Sequence, residues 1–463
     1  MRALRALGMD GAVTYTFLAR SVSVAGSTGT VLLIVRFLSP VEQGYYYTLL
    51  SLVSLQLVFE LGFSFVIQQL AAHECAHLEL HADGSVSGDP VAHARLASAL
   101  KLSLRWYTAA AAAMCLLLAP LGIVFFSHRG ATAAAPVAWM APWLAAVFAS
   151  SVSLWCTPFY SFLEGCGHVR AVAAMRLRQS IATSACAWIP MLLHRGLYSP
   201  AMAIAGYVGA GVLFVATHRR LLMGLLRYAD GENAVHWTRE VWPFQWRIAV
   251  SWICSYCTAQ ALIPMLFALR GPVEAGQLGM SLSITGYMTL LALAWCTTKT
   301  TPFGNMIARR EFDGLDRLFR RSLGQSLTVF GAMALCACAV AAFLQAEAPR
   351  LAARLVTPEL FAVLVLAAGA NCVVQGLATL LRSFKNEPFL MQSLVVASVT
   401  LGLAALTAPH YGNAGAALSY LAASAGIALP NALVIFTRAR RGYLSVGRVR
   451  NLPQPCAQPY EGA

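Results

Sequence analysis

Apolar stretches of roughly 20 residues recur from one end of this sequence to the other, each long enough to cross a hydrocarbon core of ~30 Å as a helix. They fall at 14–37, 44–70, 101–126, 139–163, 171–193 and 201–224, then at 244–269, 276–298, 323–345, 359–381, 389–408 and 413–436. The runs are too long for strands and do not alternate, and in lipid a helix satisfies its own backbone polar groups. Charged residues are only 11% of the chain and hydrophobic residues 58%, against a charged share of about 25% in soluble domains. The longest polar stretch, 73–98, is too short for a separate soluble domain. The expected fold is an all-α polytopic membrane protein of about twelve transmembrane helices.

A repeated phrase divides that series in two. Pro40-Val41-Glu42-Gln43-Gly44 returns as Pro272-Val273-Glu274-Ala275-Gly276, an offset of 232 residues in a chain of 463. Each copy lies between the first and second spans of its half. The chain therefore reads as two pseudo-symmetric six-helix lobes, 1–228 and 229–437, followed by a basic tail at 438–463. An even number of spans per lobe gives both lobes the same orientation, and duplicated bundles of this kind commonly transport a substrate through the seam between their halves.

Charge sets the expected topology. One set of connections carries Arg95, Lys101, Arg105, Arg170, Arg219, Arg220, Arg227, Arg239, Arg309, Arg310, Arg317, Arg320, Arg321 and Lys385, with the basic tail. The opposite set holds only Arg36, Arg129, Arg195, Arg270, Arg350 and Arg354. The positive-inside rule puts the rich set and both termini in the cytoplasm. The net charge of +14 is then a topology signal, and nucleic acid is excluded as a partner because no basic soluble face exists. The first span is too long for a signal-peptide core and contains Arg20. No Asn-x-Ser/Thr acceptor occurs, and a bacterial inner membrane is the expected location.

Polar side chains inside the spans form stripes at helical spacing. Span 1 carries Arg20, Ser23, Ser27 and Thr30; span 2 carries Gln56, Glu60, Ser64 and Gln68. Span 7 carries Arg247, Ser251, Ser255 and Thr258, and span 10 carries Asn371, Gln375 and Thr379. Such stripes line a shared cavity or bond one helix to another. Arg20 points to a cavity, because an Arg at mid-membrane costs from ~3 to over 10 kcal/mol. Span 5 must include Arg176 and Arg178, which project to different faces, one to the cavity and one to headgroups. Lys299 adds a cation at the rim of the second lobe. Arg20, Arg247, Lys299 and one of the span 5 arginines would favour an anion such as a phosphate. Glu60, the only acid clearly within a span, is either a counter-ion to Arg20 or a carboxylate that binds a coupling H⁺ or Na⁺.

Two other motifs are set aside. Cys254 and Cys257 form a CxxC within span 7, where cysteine packs as a small apolar residue. His73-Glu74-Cys75-Ala76-His77 matches the zinc-protease helix motif HExxH, but no distal acidic ligand follows in a convincing context. No metal or cofactor is expected.

Residues 36–46 (Arg36-Phe37-Leu38-Ser39-Pro40 through Gly44-Tyr45-Tyr46), Phe59-Glu60-Leu61-Gly62-Phe63, Gln68-Gln69 and Phe162-Leu163-Glu164-Gly165 resemble the pattern of the polysaccharide (O-antigen and exopolysaccharide) flippases of the MOP superfamily. The resemblance implies a V-shaped pair of lobes that opens to each side in turn. It implies an undecaprenyl-pyrophosphate-linked oligosaccharide as substrate, membrane lipid around the tail, and polysaccharide polymerase or export proteins as partners. Arg20 is similar to a cationic position such flippases often have in their first span. The lipid II flippases of the same superfamily usually have two further helices, and the MATE drug exporters commonly rely on acidic lobe residues; this sequence departs from both. A MATE-like cation exporter is the alternative transporter. A glycan polymerase or ligase would need a larger loop than any on the sparsely charged side.

Overall fold

The computed structural model describes residues 11–81, 84–130, 137–228, 235, 237, 242–384 and 389–450. Among them nine helices are long and apolar enough to cross a membrane, and two bent helix pairs raise the number to eleven. A further helix, α7 (Val169–Leu192), is 24 residues long but carries Arg170, Arg176 and Arg178 and so falls short on apolar composition. It lies between α1 (Gly11–Phe37) and α8 (Ser199–Thr217) and takes the place of the expected fifth span. The expected twelve-span, two-lobed architecture is the one observed.

Span 2 is broken into α2 (Pro40–Val53), α3 (Gln56–Glu60) and α4 (Phe63–Cys75), with a bend of 42° between Pro40–Glu60 and α4. Ser39 and Glu42 form a reciprocal capping box at the start of α2, which fixes where the helix begins. The break lies at Leu61 and Gly62, both left-handed with φ 51° and 68°. Glycine reaches that region freely, whereas Leu61 is held there against its Cβ. The Glu-Leu-Gly step is thus a hinge directly after Glu60.

Next come a two-stranded hairpin (β1 Leu78–Leu80, β2 Val86–Gly88), α5 (Pro90–Gly130) and α6 (Met140–Gly165). The hairpin and the first turns of α5 fill the polar stretch read as a connection. After α8 the short α9 (Arg219–Arg227) buries Leu221, Leu222 and Leu225 and exposes its arginines. The second lobe runs through α10 (Trp242–Ala259), α11 (Leu262–Arg270), α12 (Pro272–Ala292), α13 (Ala294–Thr297) and α14 (Thr300–Arg309). It continues with α15 (Phe312–Glu347), α16 (Pro349–Ala352), α17 (Pro358–Ser383), α18 (Leu390–Tyr411) and α19 (Asn413–Leu421). A π-helical stretch at Ala422–Ala428 leads into α20 (Leu429–Arg450). Residues 438–450 of the expected tail therefore extend the last helix, and Arg440 grips the buried Asp316 of α15 through two bonds of 2.7 and 2.9 Å.

The two copies of the repeated phrase meet. α2 packs along α12 so closely that a Cβ on Gly44 would strike the Pro272 carbonyl, and one on Gly276 would lie 2.8 Å from the Gly44 nitrogen. Only glycine allows that approach. The Tyr47 side chain likewise lies over Gly279, its counterpart in the other lobe. Equivalent residues touching one another place the pseudo-two-fold axis at this crossing. Tyr45 stacks there on Phe126 and meets Phe267 of the other lobe edge-on, at 5.5 and 5.1 Å between ring centroids.

Arg354, just after α16, crosses the same seam. It donates to the carbonyls of Leu38 (2.6 Å) and Val35 (3.4 Å) at the end of α1 and to Gln43 Oε1 (3.3 Å). Gln43 Nε2 donates back to the Arg354 carbonyl at 2.9 Å. This clasp closes the end of the seam remote from the chain's N-terminus.

Candidate functional site

Deeper in the same seam, toward the basic end, Arg20 projects from α1 and is half-buried. Its Nη1 donates to Thr297 Oγ1 of α13 at 2.7 Å, a further bond between the lobes. Thr297 stands two residues before Lys299, which is exposed at the start of α14. The first-lobe Arg20 and the second-lobe rim are thereby brought to one level. Behind Arg20, Arg176 of α7 lies within electrostatic reach. It forms an ion pair with Glu164 of α6, Nη2 to Oε2, at 2.6 Å. Arg178 is exposed and makes no ion pair among the described residues. The structure thus separates the two span 5 arginines by partner: both are exposed, and Arg176 is the one that reaches a carboxylate, Glu164 of α6.

Glu60 is not bonded to Arg20. It accepts from Tyr107 Oη of α5 at 3.5 Å and is hydrogen-bonded with Ser64 one turn along. Tyr207 of α8 lies within electrostatic reach of both Glu60 and Arg176. Reading Glu60 as the static partner of Arg20 does not match this geometry, because each has found another partner on a different helix.

Ser23 and Ser27 are half-buried along α1, and Gln56 is half-buried on α3. Thr30 of that α1 stripe accepts from Trp188 Nε1 of α7 at 3.0 Å, so part of the stripe holds helices together. On α10, Ser251 is buried and Ser255 is exposed, bonded to the Ser251 carbonyl one turn back. The Arg247 side chain lies outside the described residues. Asn371 turns into the second lobe and donates to Tyr420 Oη at 2.8 Å and Ser424 Oγ at 3.1 Å, beside the π-helical stretch. Gln375, one turn on, is exposed.

The zinc motif is consumed structurally. Glu74 is buried and accepts from Arg95 Nε at 2.8 Å, while the His73 side chain is 77% exposed. Among the described residues no group of three metal-ligating side chains converges.

Sequence reasoning missed Glu164 as a partner of Arg176, Thr297 as a partner of Arg20, and Tyr107 and Tyr207 as neighbours of Glu60. None of these pairings shares a helix, so no stripe could show them. A notch of about 390 Å³ opens beside the same helices at the basic end, lined by Tyr15, His168, Arg170, Ala171 and Ala174.

Solved structures of MOP superfamily transporters share this fold. The lipid II flippase MurJ in its inward closed conformation superposes with a TM-score of 0.61 at 12% identity, covering 96% of this chain and 93% of that one. The Vibrio cholerae MATE transporter VcmN in its bent form gives 0.58 at 14% identity over 94% and 97%. A MOP superfamily transporter from Pyrococcus furiosus, described as having a binding pocket of reverse polarity, gives 0.56 at 14% identity over 94% and 95%. No family model and no curated protein sequence matches the chain. At these identities the likeness shows the fold. The chain has a MOP-type fold and is a multi-pass membrane protein.

Proposed function

We propose that this protein is a flippase for lipid-linked oligosaccharide, moving undecaprenyl-pyrophosphate-linked repeat units across a bacterial inner membrane for surface or extracellular polysaccharide. The observation that carries this reading is Arg20, a guanidinium at the lobe seam whose partner is the neutral Thr297 hydroxyl rather than a carboxylate. An Arg held by a neutral group keeps its charge and most of its forked donors for an incoming anion, and a diphosphate matches that fork. Arg176 behind it adds a second cation. An organic cation, the cargo of a drug exporter, would meet repulsion at the same place.

The protein works by alternating access: the clasp at Gln43 and Arg354 closes one end of the seam while the Arg20 level opens, and the reverse. Lobes 1–228 and 229–437 move as units, with both termini in the cytoplasm. Glu60, beside the Leu61–Gly62 hinge, carries the coupling H⁺ or Na⁺. The test is transport of undecaprenyl-diphosphate-linked oligosaccharide in proteoliposomes. Wild-type protein moves it across the bilayer, and Arg20→Ala protein of normal stability moves it at least about tenfold more slowly, since a hydrogen bond to a charged group contributes ~1.5–3 kcal/mol. Equal rates would remove the anion reading.

A further inference from the structure

We propose that Glu164 is an exchangeable stand-in for the substrate's anionic headgroup: it holds Arg176 while the cavity is empty and yields it when a diphosphate arrives. This rests on the anion reading given under Proposed function. Glu164 is the next-to-last residue of α6, at the corner where the chain turns through Gly167 (φ 86°) toward α7. Arg176 comes from two turns inside α7 to meet it. The pair is therefore made between two helices, and either side chain can swing without unwinding its own.

The two ends of the ion pair differ in how a ligand would find them. The Glu164 side chain is 15% exposed and that of Arg176 is 52% exposed. Arg176 is thus the more accessible partner, and Glu164 is largely covered. One donor, Nη2, is engaged by the carboxylate, and a guanidinium has five N–H donors in a fixed fork. A diphosphate can bind the remaining donors before the carboxylate lets go. No unpaired intermediate is required.

Charge balance supplies the driving force. Arg20 and Arg176 repel one another across the first lobe, and with Glu164 in place the three groups sum to a single positive charge. Once Glu164 turns aside, two guanidinium charges face a headgroup carrying at least two negative ones. The headgroup thus replaces the carboxylate as the neutralising partner. On release Glu164 returns to Arg176, which keeps the discharged cavity from retaining its product. Glu164 is a positioning residue, acting on the headgroup through Arg176.

The experiment uses the purified full-length protein and undecaprenyl diphosphate in detergent, followed by transport of the lipid-linked oligosaccharide in proteoliposomes. Glu164→Gln removes the competing charge while keeping a hydrogen-bonding side chain. The variant is expected to bind undecaprenyl diphosphate roughly tenfold more tightly, the loss of ~1.4 kcal/mol of competition, and to show a lower KM together with a lower kcat. Its thermal midpoint without ligand falls and is recovered by ligand more fully than in wild type, because Arg20 and Arg176 are then both without a carboxylate. Glu164→Asp, which keeps the charge but sets it one methylene farther from Arg176, gives affinity, KM and kcat between those of Glu164→Gln and wild type. Excess inorganic pyrophosphate displaces the lipid from both proteins if the headgroup is what Arg176 reads.

A folded Glu164→Gln protein with wild-type affinity, KM and kcat overturns the exchange and leaves the anion reading standing. Failure of pyrophosphate to compete also overturns it, since the tail alone would then be recognised. Absence of undecaprenyl diphosphate binding to wild type removes both readings. Should Glu164→Gln not fold, Glu164→Asp decides: its side chain, one methylene shorter, loosens the hold on Arg176 and must raise affinity for undecaprenyl diphosphate by less than the tenfold expected of Gln, and an unchanged or weaker affinity rejects the proposal.

Discussion

Gln43 Nε2 donates to the backbone carbonyl of Gly276 at 3.0 Å, bonding one copy of the repeated phrase to the other across the lobe seam. The same amide nitrogen reaches the Arg354 carbonyl, and Arg354 returns a bond to Gln43 Oε1. Position 275, the counterpart of Gln43, is a fully buried alanine. The clasp is therefore one-sided on a two-fold frame.

Removing the clasp should favour opening of that end. Arg354→Ala loses bonds to three acceptors, and hydrogen bonds to charged groups contribute ~1.5–3 kcal/mol each. We expect a maleimide at Tyr47→Cys, buried against Gly279 in the closed seam, to react at least about tenfold faster when Arg354→Ala is added. Unchanged reactivity would mean that the glycine crossing closes the seam without the arginine.

Topology is checked with two exposed arginines. Arg317 stands on the first turns of α15 and Arg195 between α7 and α8. With the exposed Cys336 replaced by Ser, a cysteine at 317 should be labelled only from the cytoplasm and one at 195 only from outside. Labelling of both from one side would break the twelve-span path.

Substituting Thr297 separates two roles of Arg20. Thr297→Val removes the hydroxyl that Arg20 holds but leaves the guanidinium in place. Transport should persist, whereas Arg20→Ala abolishes most of it and Arg20→Lys restores only part, because the fork is lost. If Thr297→Val is as damaging as Arg20→Ala, the bond between the lobes matters and the anion does not.

Glu60 is tested with its tyrosine. Glu60→Gln should fold, since Gln can still accept from Tyr107, and should transport at a rate that no longer responds to an imposed proton or sodium gradient. Tyr107→Phe should keep gradient dependence while lowering the thermal midpoint slightly, the loss of one hydrogen bond worth ~1 kcal/mol. A Glu60→Gln protein with undiminished gradient dependence would take Glu60 out of coupling.

His168, in the corner between α6 and α7, gives a pH signature. Burial, and then the nearby His218, hold its protonated form below the usual histidine range. The folded state thus binds fewer protons than the unfolded one. The stability this confers is complete above the unfolded value of about 6.5 and is lost as the pH falls below it toward the lowered folded value. His168→Gln should flatten the decline in thermal midpoint between about pH 6.5 and 5. An equally steep decline in the variant would place the titration elsewhere.

The architecture is legible in the residues alone. Span number follows from a local rule, since hydrocarbon thickness sets helix length, and the duplication shows in the matching phrases at Pro40 and Pro272. Stripes also located Arg20, because the cost of a charge in lipid is the same in any fold. The break after Glu60 was not legible: span 2 reads as one run, and a leucine gives no warning of a left-handed backbone. Nor can a stripe say which helix it faces. Spacing puts Arg176 and Arg178 on different faces without saying which one finds a partner, and only the corner between α6 and α7 brought Glu164 to Arg176. Asn371 reads as cavity lining from its helix alone, yet the π-helical stretch opposite brings Ser424 to it. Glu60 took Tyr107 and Arg20 took Thr297 because pairing depends on distances between helices, and those are fixed by packing across the seam.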